Sequence, residues 1–485
     1  MLSGLINYTY STLAIMKSYK MAWRNLWRNR RRTIITVASV FFAVFFALIM
    51  RSIQLGTYDY MFKNMIESYS GYIQVQNEEF WEDRIVDNAI EFPGEIRKKM
   101  LEIPNVKEII PRFESFALAS SGSRTKGVMV MGIDPEKEKL LSDVQRKLIK
   151  YRLSDNAVEE LKKEDIPEDV KKNLELFKGF TYASDRTICI ELGIKERDSG
   201  LVMPMIRKHA LVENGYIEIG KPGALVGDRL ATYLGLSKGD SIVLISQGYH
   251  GVSAAGIYQV EGILHLPAPD IDSRIVYLPV DICQELYSAP GLLTSVVLHI
   301  DKNDDTSIDQ TLSSLDSKLD EPYRVLGWKE MNETIVNQMD ADNKSGMIMI
   351  GILYLVIAFG VFGTVLMMTA ERRREFGVLV SIGMQKTKLA AVMVYEMIFI
   401  GLLGILAGIA VALPSIIYGY YHPIRFSSNM ARMWEDYGFE PVMAFMWIDK
   451  YFLWQSVVVG IIVIVAVLYP VRKIIKLKEV NALKA

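Results

Sequence analysis

"GTVLMMTAERRREFGVLVSIGMQKTKLAAVMVYEMIFIG", Gly363 to Gly401, joins two apolar runs through a short polar segment. Both ends are apolar, while the middle carries Arg372, Arg373 and Arg374 in a row. Behind the arginines, "REFGVLVSIGMQK" offers Phe376, Leu379, Val380, Ile382 and Met384. These are too few to span a bilayer but enough for a short helix with an apolar face. Gly377 and Gly383 allow bends or close backbone approach. A loop that only sets topology explains the arginines and not the ordered apolar residues after them. An amphipathic elbow, joined rigidly to two spans, explains both and is suited to docking into a groove on a soluble partner.

Four stretches of the chain approach the ~20 apolar residues that a ~30 Å hydrocarbon core requires. They are Thr33 to Met50, Met347 to Ala370, roughly Ala391 to Tyr418, and Phe452 to Tyr469. The 485-residue chain is 50% hydrophobic, with a mean hydropathy of +0.18. A membrane protein with a large non-membrane part follows. The formal charge of −1 hides a sorted distribution. Met1 to Arg32 carries seven Lys/Arg and no acid, Glu371 to Lys388 five against two, and Pro470 to Ala485 five against one. Ser52 to Gly346 carries 34 Lys/Arg against 48 Asp/Glu. Positive flanks face the cytoplasm, so both termini and the elbow are expected inside and the long segment outside.

The expected order is therefore a cytoplasmic flank over 1–32, a first membrane segment over 33–55 and an exported α+β domain over 56–346. Spans at 347–370, 391–418 and 452–469 follow, separated by the elbow (371–388) and a short outer loop (419–451), with a cytoplasmic tail over 470–485. A cleaved signal peptide is disfavoured, because Thr33 to Met50 is long for an h-region and "RSIQLG" follows it instead of a small-x-small site. In the flank, Met16, Tyr19, Trp23 and Leu26 recur at helical spacing opposite Lys17, Lys20, Arg24 and Arg28, and Trp27 widens the apolar face. That pattern fits a helix lying on the inner leaflet; an ordinary positive flank is the plainer alternative.

The exported segment holds strand signals at "GYIQVQ" (Gly71), "GVMVMGIDP" (Gly127), "DSIVLIS" (Asp240), "IYQVEGIL" (Ile257), "RIVYLPV" (Arg274) and "SVVLHI" (Ser295). Helical stretches such as "GEIRKKML" and "TSIDQTLSSLDSKL" lie between or after them. Residues 134–215 turn charge-rich and helical, as an inserted lobe or a solvated excursion. Cys189 and Cys283 are both exported, where a disulfide is chemically permitted.

No motif points to chemistry on this chain. "GYIEIGKP" (Gly215 to Pro222) begins like a phosphate loop, but Pro222 supplies neither a hydroxyl nor an N–H. The five histidines have no zinc-ligand spacing. The basic clusters sit against membrane spans, so nucleic-acid binding has no support. What remains is mechanical: Gly404 and Gly408, preceded by Gly401, form a G-x-x-x-G surface for close helix packing. Glu396, an ionisable residue inside the third span, faces protein, water or the headgroups.

At these residues the chain resembles the ABC-transporter permeases of the MacB/FtsX type, and in particular the Lol lipoprotein-releasing permeases. "ERRREFGVLVSIGMQKTKLAAVMVYEMIFIGLLGILAG" (Glu371 to Gly408) is similar to the family's Arg-rich elbow and Gly-rich helix. "MAWRNLWRNRRRTIITV" (Met21 to Val37) and "YPVRKIIKLKEVNALKA" (Tyr469 to Ala485) resemble its two ends. "GALVGDRLATYLGLSKGDSIVLIS" and "YRVLGWKEMN" resemble passages of the exported domain, whereas Asp134 to Gly215 matches least.

The resemblance implies a bacterial inner-membrane subunit that uses mechanotransmission to extract lipoproteins and pass them to a periplasmic carrier. It implies a second permease copy or paralogue and a cytoplasmic ABC ATPase dimer, with ATP and Mg on that partner and no cofactor or metal here. Glu371, Arg372, Arg373, Arg374, Glu375, Phe376, Gly377, Leu379, Ile382, Gly383 and Met384 would make the ATPase contact. Phe376, Leu379, Ile382 and Met384 would enter its groove, with the arginines positioning the elbow. Phe41, Phe42, Phe45, Phe46, Phe359 and Phe362 are candidates for an acyl-chain cavity, lipid-facing packing being their plainer fate. MacB-like export of other cargo and FtsX-like control of a cell-wall hydrolase are the alternatives.

Overall fold

The computed structural model describes residues 19–28, 30–426, 430–431, 433–434 and 441–476. Met16 and Lys17 of the expected leaflet helix, the tail beyond 476 and most of 427–440 lie outside the described residues. The described residues of Met1–Asp59, Asn337–Ile424 and Met443–Ala485 form one compact unit. Tyr60–Val336 with Arg425–Val442 form the other.

Four described helices are long and apolar enough to cross a membrane: Arg30–Met65, Glu333–Glu371, Lys386–Tyr421 and Lys450–Ile475. A large mixed α/β domain lies between the first and second, as the fold class read from the sequence requires. The helices outrun their apolar stretches because extending a formed helix costs far less than nucleating one. Pro414 and Pro470 sit inside the third and fourth, a placement that neighbouring helices make tolerable in membrane bundles.

Small residues set the packing of this unit. A Cβ on Gly404 would lie 2.5 Å from Val40 Cβ, and one on Gly408 2.8 Å from Val44 Cβ. The G-x-x-x-G surface is thus occupied within the chain, by valines one turn apart on the first helix. Gly401 faces the fourth helix instead, with Val463 3.1 Å from its would-be Cβ. Val361, Val365, Met393, Met397, Ile400 and Val459 fill the core around these contacts. Beyond the third helix the chain returns beside the first, where Ser52 Oγ donates to the Met446 carbonyl at 3.0 Å and Met446 N–H donates to the Ser52 carbonyl at 2.9 Å.

The second unit is built on one nine-stranded sheet. Its strands are β1 (Ile73–Asn77), β2 (Val106–Ser121), β3 (Arg124–Ile133), β6 (Gly223–Gly227), β7 (Ser241–Gln247), β8 (Ser253–Leu264), β9 (Ile275–Pro279), β10 (Ser295–Ile300) and β11 (Tyr323–Gly327); β4 (Tyr151–Arg152) and β5 (Thr181–Tyr182) pair separately. The order is β11-β1-β10-β2-β3-β9-β6-β8-β7, and β7 also pairs with β2, closing six strands into a ring. β3–β9 and β6–β8 run parallel, the other neighbours antiparallel.

β2 makes this closure possible. Its first half pairs with β10 (Ile110 opposite Val297) and its last residues with β7 (Ala119 opposite Leu244). Pro111, which cannot donate to a ladder, hides this sixteen-residue strand from a sequence reading. Phe113, Ala117, Val128, Val226, Leu244 and Val276 fill the ring. Helices Gly94–Leu101 and Asp305–Asp316 close a second core over β1 and β10, around Ile73, Met100, Val296 and Leu315.

Within 134–215, helices Asp155–Lys163, Glu168–Leu176, Asp185–Glu191 and Glu196–Ala210 enclose a core of their own. Leu161, Leu174, Ile188 and Val202 are fully buried there. Ser154 and Ser184 cap two of these helices by accepting from the N–H groups of Ala157 and Thr187. Cys189 belongs to this lobe and Cys283 to the ring core; both are free thiols. Burial pushes the Cys283 thiol well above its ordinary pKa.

Candidate functional site

The second membrane helix stops at Glu371, and Arg372, with φ −89° and ψ 3°, heads the next helix, Arg373–Ser381. That helix ends in a Schellman turn. Gly383 N–H donates to the Val380 carbonyl and Met384 N–H to the Leu379 carbonyl, both at 3.0 Å. Gly383 has φ +102°, a conformation glycine adopts without penalty. Leu379 and Met384, the pair such turns bring together, both pack partly buried against the membrane core.

The elbow has two unlike faces. Phe376 is 3% exposed and lies in the chain's own helical core, with the Arg372 guanidinium 5.4 Å from its ring centroid. Gly377 is also buried, while Arg373, Arg374 and Val378 are exposed and Ile382 is 78% exposed. At 100° per residue, Arg374, Val378 and Ile382 share one side, and Phe376 falls opposite them. This corrects the expectation that Phe376, Leu379, Ile382 and Met384 present a single docking face. Phe376 is an anchor, and the outward apolar side chains are Val378 and Ile382.

Arg372 points inward as well. Its Nη1 donates to Glu396 Oε2 at 2.6 Å, and the other oxygen of Glu396 accepts from Asn25 Nδ2 at 2.6 Å. Arg372 Nε and Arg28 Nη2 converge on Glu375 Oε2 at 3.3 and 2.8 Å, and Arg32 pairs with Glu371. These groups line a polar cavity of about 280 Å³. The Glu396 side chain is 3% exposed, so among the possibilities for this residue it faces protein. A carboxylate this buried requires such partners. Helical residues 19–28 complete the arrangement: Ala22 and Leu26 are buried, and Trp23 meets Phe399 edge-on at 5.5 Å. Nothing in the sequence marks Asn25 as a partner of Glu396, 371 positions away.

Phe42, Phe46 and Phe359 are half or more exposed, while Phe41, Phe45 and Phe362 are partly covered. Phe41 stacks on Phe45 at 5.9 Å, and Phe362 meets Tyr469 at 5.5 Å.

In the sheet unit, the two chain segments adjoining the first and second membrane helices are stapled together. Trp328 N–H donates to the Tyr72 carbonyl at 2.9 Å, Asn332 Nδ2 to Ser70 Oγ at 3.4 Å, and the Phe62 and Trp328 rings meet at 5.1 Å. Beneath them Arg112, 1% exposed, binds both carboxylate oxygens of the fully buried Glu138, at 2.7 and 3.3 Å, and also donates to the Tyr69 carbonyl. Burial alone would lower the Arg112 pKa, but Glu138 overrides it and holds the guanidinium above its ordinary value. No spacing pattern announces this pair.

Residues 347–478 match the family of FtsX-like permease C-terminal domains. The lipoprotein-releasing system transmembrane protein LolC of Xylella fastidiosa is 22% identical over 203 residues, covering 40% of this chain and 48% of that protein. An uncharacterized ABC transporter permease of Methanocaldococcus jannaschii, MJ1507, is 24% identical over 161 residues, 32% of this chain and 40% of that one. The chain thus spans about half the length of the curated relatives it matches. Among solved structures, the periplasmic region of MacB from Actinobacillus actinomycetemcomitans aligns over 57% of this chain and 98% of its own, with a TM-score of 0.30 and 10% identity.

Proposed function

Starting from the FtsX-like permease C-terminal domain that residues 347–478 form, we propose that this chain is the membrane subunit of an ABC transporter that releases lipoproteins from the outer leaflet of a bacterial inner membrane. The positive flanks orient the elbow and both termini toward the cytoplasm and the sheet domain outward. A separate ATPase dimer, carrying ATP and Mg, docks on the outer face of the elbow at Arg373, Arg374, Val378 and Ile382. A second permease copy or paralogue completes the assembly, and a periplasmic carrier receives the cargo.

The observation that carries this reading is the elbow itself. Its inner face is pinned by Phe376 and the Arg372–Glu396 pair, while Ile382 stands 78% exposed at its tip. A rigidly held helix with an outward apolar residue between cations fits a groove on a soluble partner. Similarity to LolC supports lipoprotein as cargo. Acyl chains would meet the exposed Phe42, Phe46 and Phe359, beside membrane lipid.

Purification of the intact membrane complex tests the reading. A co-purifying ATPase lost on Ile382→Asp supports it; recruitment unchanged by that substitution removes the docking claim. If lipoproteins stay bound to the inner membrane to the same extent with and without the protein, the cargo assignment fails.

A further inference from the structure

The helical lobe within 134–215 has no role in the proposed transport function, and Asp134 to Gly215 resembles the permeases least. One of its side chains, Glu191, takes its cation from outside the lobe. Glu191 closes the helix Asp185–Glu191, and its side chain is 6% exposed. Tyr182, from β5, donates its hydroxyl to Glu191 Oε2 at 3.4 Å. The cation comes from far along the chain: Arg425 Nη1 stands 2.7 Å from Glu191 Oε1. Arg425 lies in β12 (Ile424–Arg425), a two-residue strand that pairs with β13 (Val442–Met443) between the third and fourth membrane helices. Phe426 N–H donates to the Pro441 carbonyl at 2.8 Å, so the loop is hydrogen-bonded across its base. Arg425–Val442 belongs to the same compact unit as the lobe.

We propose that the lobe is a docking platform for the loop between the third and fourth membrane helices, with Glu191 as its receptor and Arg425 as the inserted cation. Three observations support this. With Arg425 in place the Glu191 carboxylate is nearly buried, so losing that cation leaves a costly charge, unlike the loss of a fully exposed ion pair worth little. Burial raises the Glu191 pKa and Arg425 opposes that shift, with His265 adding a smaller opposing effect. A cavity of about 450 Å³ is lined jointly by the lobe (Phe180, Thr187), the sheet domain (Asp228) and the loop (Phe426, Val442), so the loop completes a surface the other two leave open.

The third helix ends at Tyr421, four residues before Arg425. Four residues reach at most about 14 Å even when fully extended, and Pro423 stiffens the link. A helix end carried farther from the docked Arg425 than that reach pulls on Arg425 and, through Glu191, on the lobe. The consequence for transport rests on the proposed permease function; the docking does not.

Hydrogen exchange on the full-length protein in nanodiscs tests the docking directly. Arg425→Glu and Glu191→Gln should each speed exchange at Phe426 and along Asp185–Glu191 by about tenfold or more, and the double swap Glu191→Arg with Arg425→Glu should restore much of the protection. Arg425→Lys keeps the charge and should change exchange less than threefold, guarding against a folding defect, with β2 amides as the internal control. Exchange at Phe426 and in the lobe helix identical to wild type in Arg425→Glu overturns the proposal. In the complex with its ATPase, Arg425→Glu should uncouple cargo from hydrolysis. A chain that recruits no ATPase would instead overturn the transporter reading, while exchange still decides the docking.

Discussion

Arg372 and Glu396 face each other at 2.6 Å, joining the head of the elbow to the third membrane helix through a nearly buried carboxylate. The arginine run is therefore divided in use: Arg372 holds the elbow in place, while Arg373 and Arg374 remain on its surface. Removing one partner of such a pair leaves an uncompensated charge and costs about 3–5 kcal/mol, whereas replacing both by apolar groups can be neutral. Arg372→Met should lower the thermal midpoint of the purified protein strongly, and Arg372→Met with Glu396→Met should recover much of the loss. Additive effects in that double-mutant cycle would show that the two residues do not interact.

The two faces of the elbow should separate in their phenotypes. Phe376→Ala removes a buried aromatic and is expected to destabilise the protein by about 3–5 kcal/mol. Ile382→Asp lies at an exposed position and should leave stability within about 0.5 kcal/mol while abolishing ATPase recruitment. Unfolding curves and pull-downs on both variants check this; equal destabilisation would contradict the assignment of faces.

Gly404 and Gly360 offer a matched comparison inside membrane helices. A Cβ on Gly404 meets Val40 at 2.5 Å, whereas nothing lies within 4 Å of one on Gly360. Gly404→Ala should cost about 1–3 kcal/mol through overpacking, and Gly360→Ala should not destabilise, since alanine is the better helix former. Thermal unfolding in one detergent ranks them.

The buried pair in the sheet domain behaves by the same logic. Glu138→Gln leaves Arg112 without its counter-ion and should destabilise this domain by about 3–5 kcal/mol. Arg112→Met with Glu138→Leu should be far milder. Hydrogen exchange at Tyr72 and Trp328 reads whether the staple loosens.

In the lobe, Asp185 is held down to about 2 by its hydrogen bond to Lys150, with Arg207 and Tyr151 adding to the effect. Lys150 Nζ lies 2.5 Å away, Arg207 Nη2 2.7 Å and the Tyr151 hydroxyl 2.8 Å. Because the folded carboxyl titrates below its ordinary value near 4, its contribution is complete above about pH 4 and lost as pH falls toward 2. Amide exchange in the lobe should therefore rise across that window, and Asp185→Asn should flatten the rise. Identical pH profiles for both proteins would contradict this.

Hydropathy and charge are local and additive, so they could be read along the chain. They placed the four spans, the elbow between two of them, and strands such as β3 and β10. β2 escaped because Pro111 interrupts its pattern, and the ring it closes depends on pairing with both β10 and β7. Local patterning sufficed for an amphipathic elbow between two membrane helices and for Glu396 as an ionisable residue inside an apolar span. The inward turn of Phe376 and outward turn of Ile382, the seating of Val40 and Val44 on Gly404 and Gly408, and the pairing of Glu396 with Asn25 and Arg372 arise in the folded chain. A partner in packing or in an ion pair is chosen by ångström-scale geometry between residues hundreds of positions apart, and neither composition nor periodicity carries that distance.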